Sequence, residues 1–168
     1  MKKLLYILLI VAGALSLSSC SGYNNMVEKQ EAVTSQWGNV QNAYQRRADL
    51  IPNLVNTVKG YAAHEQETFT QVTEARSRAT QTNINPENLT TESLQEYQQA
   101  QNQLSQALGR LLLIQENYPE LKANQNFLAL QDELAGTENR VSVERNRFNQ
   151  LAQDYNSYIR KFPQVIYA

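Results

Sequence analysis

The fold is decided by residues 127–162, whose sequence is FLALQDELAGTENRVSVERNRFNQLAQDYNSYIRKF. Apolar residues occupy six successive positions spaced by seven: Phe127, Leu134, Val141, Phe148, Tyr155 and Phe162. A companion row at the same spacing consists of Leu130, Thr137, Glu144, Leu151 and Tyr158. Two interleaved rows of period seven form one stripe along an α-helix. The pattern predicts a helix of ~50 Å that ends at Phe162–Pro163.

The N-terminal half carries a similar stripe of apolar residues, and we call each such stripe a seam. Its two rows of sevenfold spacing are Val33, Val40 and Leu54, and Trp37, Tyr44, Ile51 and Val58. Pro52 interrupts this seam. Because proline lacks an amide hydrogen and clashes with the preceding turn, we expect a kink or break just before it. Asp49 would cap the restarted helix, which continues to Arg76.

A polar connection separates this region from the next helix. Residues 80–91 are rich in Thr and Asn and include an Asn-Pro turn signal at Asn85–Pro86. Thr91 or Thr90 can cap the following helix, and Glu92 is favourable in its first turn. That helix should stop at Tyr118, because Pro119 restricts the residue before it to non-helical geometry.

These elements predict an all-α fold, an elongated antiparallel bundle of three to four helices with coiled-coil-like seams, over residues 23–168. Gly (6) and Pro (4) are scarce, which argues against many short strands. Short connections favour neighbouring antiparallel helices within one chain. A heptad pattern of this length also fits a dimeric coiled coil, so an oligomer remains the alternative.

The first residues resemble a bacterial export signal. Lys2 and Lys3 precede the apolar run Leu4 to Leu17, which is shorter than the ~20 residues of a membrane-spanning helix. Leu17-Ser18-Ser19-Cys20 then resembles a lipobox. We expect residues 1–19 to be removed and Cys20 to carry the membrane-anchoring lipid, palmitate included, with residues 20–22 as a short tether. The alternative is a retained transmembrane helix.

This signal places the bundle in the bacterial cell envelope, outside the cytoplasm. Ser21 rather than Asp follows the cysteine, which favours the outer membrane under the enterobacterial sorting rule.

Composition excludes several classes of function. The net charge is −1, and without Lys2 and Lys3 there are 13 basic against 16 acidic residues, a charge of −3. With no basic stripe, nucleic acid is not an expected partner. One His and one Cys cannot form a zinc site, so we expect no metal or cofactor. His64–Glu65 is the one spot where acid–base chemistry could be suspected, but Thr68 replaces the second His of a zinc-protease motif. We expect no enzyme.

A charged residue occupies an apolar place in the first seam. Arg47 lies seven positions after Val40 and seven before Leu54. A charge near a core is costly unless it is paired and hydrogen-bonded, so we expect Arg47 to pair with Glu138 or Glu116.

Polar residues also flank the last seam at sevenfold spacing. Glu138 and Arg145 are one such pair, and Asn149 and Asn156 are another. We interpret them as architectural residues that select one helix register. The predicted polar network comprises Arg47, Glu116, Glu138, Arg145, Asn149 and Asn156.

Motifs in order across residues 23–163 carry a family resemblance. They are YN at 23–24, RRADLIPNLV at 46–55, VKGYA at 58–62 with HE at 64–65, ENYPELKAN at 116–124, Phe127, LQ at 130–131, Glu138, Arg145, FN at 148–149, YN at 155–156 and FP at 162–163. This set resembles the LemA family. The resemblance implies a membrane-tethered antiparallel helical bundle with no established biochemical activity. Many members have an N-terminal transmembrane helix, from which the lipobox departs.

Two classes of function remain. One is a scaffold of the cell envelope that binds a protein partner. The other is a structural spacer or envelope-integrity factor, and a third, weaker option is an accessory to a membrane protease or to peptide handling. An apolar patch outside the seams would favour binding, whereas a wholly polar exterior would favour the spacer.

Overall fold

The computed structural model describes residues 2–82, 84–86, 89–166 and 168, with the side chains of residues 2–20 outside the description. Its helices are α1 (Lys2–Lys59), α2 (Gln66–Gln81), α3 (Thr91–Leu113), α4 (Pro119–Lys122) and α5 (Gln125–Ile159). The segments Ile114–Asn117 and Gln164–Ile166 are 3₁₀ turns. No strand occurs within these described ranges. The prediction of an all-α helical bundle is confirmed.

The sevenfold rows of the sequence form much of the core. Buried positions of the first seam are Trp37, Val40, Tyr44, Ile51, Leu54 and Val58. Buried positions of the last are Phe127, Leu134, Val141 and Phe148. The prediction is wrong at the C-terminal end, because α5 ends at Ile159 and Phe162 is 80% exposed. Pro163 lacks the amide hydrogen that would continue the helical bonding, which explains the earlier stop.

The chain forms two compact units. The terminal unit comprises Met1–Trp37 and Asn146–Ala168, and the central unit comprises Gly38–Arg145. In the terminal unit the first part of α1 and the last part of α5 are antiparallel. Gly22 there contacts Tyr158, and Trp37 contacts Phe148 with ring centroids 5.2 Å apart.

The central unit contains the second part of α1, α2, α3, α4 and the first part of α5. Helix α2 is antiparallel to α3, since Gln71 bonds with Arg110 and Ala79 with Gln101. The large buried side chains of its apolar cluster come from all five helices: Ile51, Leu54, Val58, Phe69, Val72, Leu104, Leu111, Leu121 and Phe127.

Of the kink or break predicted at Pro52, the break does not occur, and Asp49 caps no restarted helix, because α1 continues through Pro52 to Lys59. A proline at position 52 cannot donate to the carbonyl oxygen of Ala48, four residues earlier. Arg76 replaces the missing donor: its Nε donates to the Ala48 oxygen at 2.7 Å. This contact from α2 satisfies the carbonyl that would otherwise be left unpaired.

Helix α1 ends at Lys59, seven residues after Pro52. Residues 60–65 connect α1 to α2, and the Gly60 amide donates to the carbonyl oxygens of Asn56 and Thr57, both at 3.3 Å. A signal for this end was present in the sequence, since Lys59 occupies the last turn and a glycine follows it.

The predicted start of α3 is confirmed, whereas its predicted end at Tyr118 is wrong, because α3 ends at Leu113 and a 3₁₀ turn spans Ile114–Asn117 before Tyr118. Thr90 caps α3 in a capping box with Ser93, and Glu92 lies in the first turn. Tyr118 adopts φ −129° and ψ 85°, outside helical geometry, directly before Pro119.

Within the described residues, none of the helices combines the length and the apolar character needed to cross a membrane.

Candidate functional site

Arg47 is the largest fully buried side chain of the core and lies in the central unit. Its Nη1 donates to Glu138 Oε1 at 2.6 Å and to Ser105 Oγ at 2.9 Å. Its Nη2 donates to the side-chain and backbone oxygens of Gln101, at 2.7 and 3.2 Å. The guanidinium carbon also lies 5.0 Å from the centre of the Tyr44 ring. Helices α1, α3 and α5 therefore meet at one cation.

The ion pair of this cluster is exposed on one side. The side chain of Arg47 is 2% exposed, whereas that of Glu138 is 44% exposed. Water can therefore solvate part of the carboxylate, while the buried guanidinium depends on protein acceptors. The Arg47 Nε is buried with no hydrogen-bond partner in the described part of the chain.

The structure brings only two members of the predicted polar network together. Glu116, the other expected partner of Arg47, pairs with Lys122 at 3.2 Å on the surface. Arg145 is half-buried, and no ion pair among the described residues joins it to Glu138. Asn149 and Asn156 are exposed and belong to the terminal unit.

A cavity of about 260 Å³ lies beside the Arg47 cluster, between α1, α2 and α3. Its wall is formed by Tyr44, Ala48, Ala79, Tyr97 and Gln101, and its mouth by Gln41, Asn42, Gln45, Thr80 and Thr82. The lining carries amides, hydroxyls and two phenol rings. The rings of Tyr44 and Tyr97 meet edge to face, with centroids 5.4 Å apart.

The described residues that line the cavity include no Asp, Glu, His, Lys or Cys. Burial, and then the neighbouring Tyr44, raise the pKa of the Tyr97 phenol well above its usual range, although Arg47 and a hydrogen bond with Gln101 act in the opposite direction. Tyr97 therefore stays neutral at physiological pH and can donate or accept a hydrogen bond.

The sequence analysis did not predict this cavity, nor did it predict Gln101 and Ser105 as hydrogen-bond acceptors for Arg47. For Gln101 a signal was available. It lies four residues after Tyr97 and three before Leu104, on the buried face of α3. A buried amide in that position needs partners, and it finds them in Arg47 and in the Ala79 carbonyl oxygen, 3.2 Å away.

His64 and Glu65 lie in the connection between α1 and α2. His64 is exposed, and Glu65 accepts a hydrogen bond from the hydroxyl of Tyr118 at 3.2 Å. In the described ranges, no three side chains of His, Cys, Asp and Glu form a group that could hold a metal ion.

The predicted lipid site, Cys20, lies within α1, but its side chain is outside the described set. Lipid attachment there, and the boundaries 1–19 and 20–22, stay predictions. Two residues further along, the Gly22 carbonyl oxygen accepts a hydrogen bond from the Tyr158 hydroxyl at 2.9 Å.

Comparison with known proteins identifies the fold family of this bundle. The family model described as LemA matches residues 36–168. The chain belongs to the LemA family. The match covers every part of the Arg47 cluster and the cavity, both of which lie within the family region.

Curated relatives are 25–27% identical to the chain over the residues that align. It is 25% identical to Protein LemA of Metamycoplasma hominis over 83% of its length. It is 27% identical to the magnetosome protein MamQ of Magnetospirillum gryphiswaldense over 84%, and 25% identical to MamQ 2 of Paramagnetospirillum magneticum. The chain spans 58–60% of the length of these relatives.

Proposed function

We propose that this LemA-family chain is a non-enzymatic scaffold of the bacterial cell envelope, held to a membrane through a lipid on Cys20. The cavity of the central unit would receive a segment of a protein partner. The export signal predicted in residues 1–20 supports the location in the cell envelope. The cavity of the central unit supports the binding function.

The observation that carries the binding function is the size and chemistry of this cavity. At about 260 Å³ it is smaller than the ~300–1,000 Å³ typical of small-molecule pockets. A single side chain of a partner fits a space of that size. Amide and hydroxyl groups at the mouth can bond with the partner's backbone, while the two tyrosine rings offer apolar contact.

The same lining supports a function without catalysis. The titratable groups among its described lining residues are Tyr44 and Tyr97, and the raised pKa keeps Tyr97 neutral. A phenol with a raised pKa can hold a ligand by hydrogen bonds and is a weak proton donor.

Crosslinking in living cells tests the binding function. A photoreactive amino acid is placed at Gln45, which is exposed at the mouth of the cavity, and at Asn126, an exposed position outside it. We expect one discrete protein adduct from Gln45 and none of the same mass from Asn126.

A pair of matched variants shows whether the adduct depends on the cavity. Thr80 and Thr70 are both exposed on α2, and each hydroxyl donates to the carbonyl oxygen four residues earlier at 3.0 Å. Only Thr80 lines the cavity. Thr80→Arg should abolish the Gln45 adduct, whereas Thr70→Arg should leave it unchanged. An adduct that survives Thr80→Arg would contradict the cavity as the binding site. No reproducible adduct would contradict the scaffold and favour the spacer.

The anchor is tested separately by metabolic labelling with palmitate. The wild-type chain should incorporate the label, and Cys20→Ala should lose both the label and signal cleavage. If Cys20→Ala is still cleaved and remains firmly in the membrane fraction, the lipoprotein assignment is wrong.

A further inference from the structure

A group of exposed apolar side chains follows helix α5. Phe162 is 80% exposed, Val165 56% and Ile166 70%, and we call these three residues the C-terminal apolar cluster. They lie beyond the end of α5, where a bond from the Ile166 amide to the Pro163 oxygen at 3.1 Å closes the 3₁₀ turn Gln164–Ile166. Such side chains in water are costly unless something covers them.

The position of this cluster in the terminal unit points to what covers it. The Tyr158 hydroxyl donates to the Gly22 carbonyl oxygen at 2.9 Å. The side-chain amide of Gln164 lies 3.3 Å from the same hydroxyl, and the Lys29 ammonium lies 5.7 Å from the centre of the Tyr158 ring. These contacts hold the turn beside the part of α1 that directly follows Cys20.

Gly22 lies two residues after Cys20, which is ~3 Å along a helix. A lipid on Cys20 would place Gly22 at the membrane surface. A retained apolar segment Leu4 to Leu17 would place it there as well. In either case the C-terminal apolar cluster is carried to the same surface.

The charge of this end suits an anionic membrane. Residues 21–27 and 155–166 contain no Asp or Glu, while Arg160 and Lys161 are exposed next to the cluster. Tyr23, half exposed at 52%, adds an aromatic ring of the kind enriched at membrane interfaces. Basic side chains flanking apolar ones are the combination that interfacial segments use.

We propose that Phe162, Val165 and Ile166 insert into the headgroup region of the membrane that anchors the chain, with Arg160 and Lys161 against anionic lipid headgroups. The inference rests on the proposed membrane attachment. A lipid surface is favoured over a second copy of the chain because the anchor keeps lipid within reach of the cluster at a high local concentration. The two adjacent cations would also repel those of a second copy.

Fluorescence quenching by lipids tests the insertion. The full-length chain is expressed in bacteria, purified, and reconstituted in vesicles of phosphatidylethanolamine and phosphatidylglycerol that contain nitroxide-labelled lipid. Val165→Cys carries an environment-sensitive dye, and Gln153→Cys, an exposed position of α5, is the control. We expect the dye at position 165 to be blue-shifted and quenched by the labelled lipid, and the dye at position 153 to be neither.

Two further variants connect the quenching to the named side chains. Replacing Phe162 and Ile166 together by Ser should lower the insertion equilibrium constant by roughly tenfold or more, as expected for lost apolar burial. Replacing Arg160 and Lys161 together by Gln should remove most of the difference between vesicles with and without phosphatidylglycerol.

The outcomes separate this inference from the proposed anchor. Cys20 is the only cysteine in the sequence. If the chain without an added cysteine takes up the dye, the Cys20 thiol is free. That result would contradict lipidation of Cys20 but would leave the insertion of the C-terminal apolar cluster unaffected. A vesicle-bound protein whose dye at position 165 stays unquenched and water-exposed would overturn the insertion. A dye that is shielded yet unquenched, together with disulfide-linked dimers of unlabelled Val165→Cys, would assign the cluster to a second copy and likewise overturn it.

Discussion

The carboxylate of Glu138 accepts a 2.6 Å hydrogen bond from the guanidinium of Arg47, yet only one member of the pair is buried. Arg47 is 2% exposed and Glu138 is 44% exposed. Removing the arginine leaves a carboxylate that water can reach, whereas removing the glutamate leaves a buried cation with one acceptor fewer. The two truncations should therefore have unequal effects on folding.

We predict that Arg47→Met leaves the fold intact and changes the free energy of unfolding by no more than about 1 kcal/mol, because a long apolar side chain replaces the guanidinium. Glu138→Ala should cost about 2–3 kcal/mol. This is below the usual cost of stranding a buried charge, because Gln101 and Ser105 still accept hydrogen bonds from Arg47. Urea unfolding followed by circular dichroism measures both values.

Glu133→Ala is the control for this comparison. Glu133 lies 3.7 Å from Arg46 in an exposed ion pair, so its removal should cost less than about 1 kcal/mol. A strongly unfolded Arg47→Met protein would show instead that the loss of the hydrogen bonds from Arg47 to Glu138 and Gln101 destabilises the fold.

The contact between Arg76 and Ala48 predicts a coupling with Pro52. Arg76→Met should cost about 1–2 kcal/mol, since the Ala48 carbonyl oxygen loses its donor at 2.7 Å. In the Pro52→Ala background the new amide can donate to that oxygen, so the same substitution should cost less. A double-mutant cycle of unfolding free energies measures the difference. Equal costs in both backgrounds would mean that Arg76 acts independently of the proline.

The buried phenol of Tyr97 predicts an alkaline loss of stability. Its pKa is raised in the folded state, so above the ordinary value near 10.0 the unfolded chain releases this proton while the folded chain retains it. The contribution is fully present below pH 10 and is lost as the pH rises beyond it, with a slope of at most about 1.4 kcal/mol per pH unit.

Thermal unfolding between pH 8 and 11 measures this loss, with Tyr97→Phe as the matched variant. The Phe variant should show a shallower decline of the midpoint temperature, because it has no phenol proton to retain. Parallel declines in the two proteins would assign the alkaline loss to other groups.

Much of the fold could be predicted because it depends on local pattern. The sevenfold rows identified α5 and the buried face of α1, and the place of Arg47 in its row indicated that the charge needs a partner. Helix ends were harder to predict. Pro52 is the stronger helix breaker by propensity, yet a donor from another helix compensates it, and the weaker signal at Gly60 marks the true end.

The candidate cavity could not be predicted from the sequence. Tyr44, Thr80 and Tyr97 lie far apart along the chain, and their meeting depends on the register of α1, α2 and α3 relative to one another. Periodicity shows which face of each helix is buried, but it does not show which residues of three faces lie at the same height. For the same reason, the sequence could not show whether Glu138 or Glu116 is the partner of Arg47.

A stabilising substitution is predicted at Gly136, in the interior of α5. This glycine is exposed, its φ is not positive, and no atom lies within 4 Å of an added Cβ. Gly136→Ala should therefore raise the free energy of unfolding by about 0.5–1 kcal/mol, because alanine loses less backbone entropy in a helix. Gly109→Ala in α3, where an added Cβ also meets no atom within 4 Å, should give a similar gain. Urea unfolding of both variants tests this, and a loss of stability in Gly136→Ala alone would contradict the free space seen beside α5.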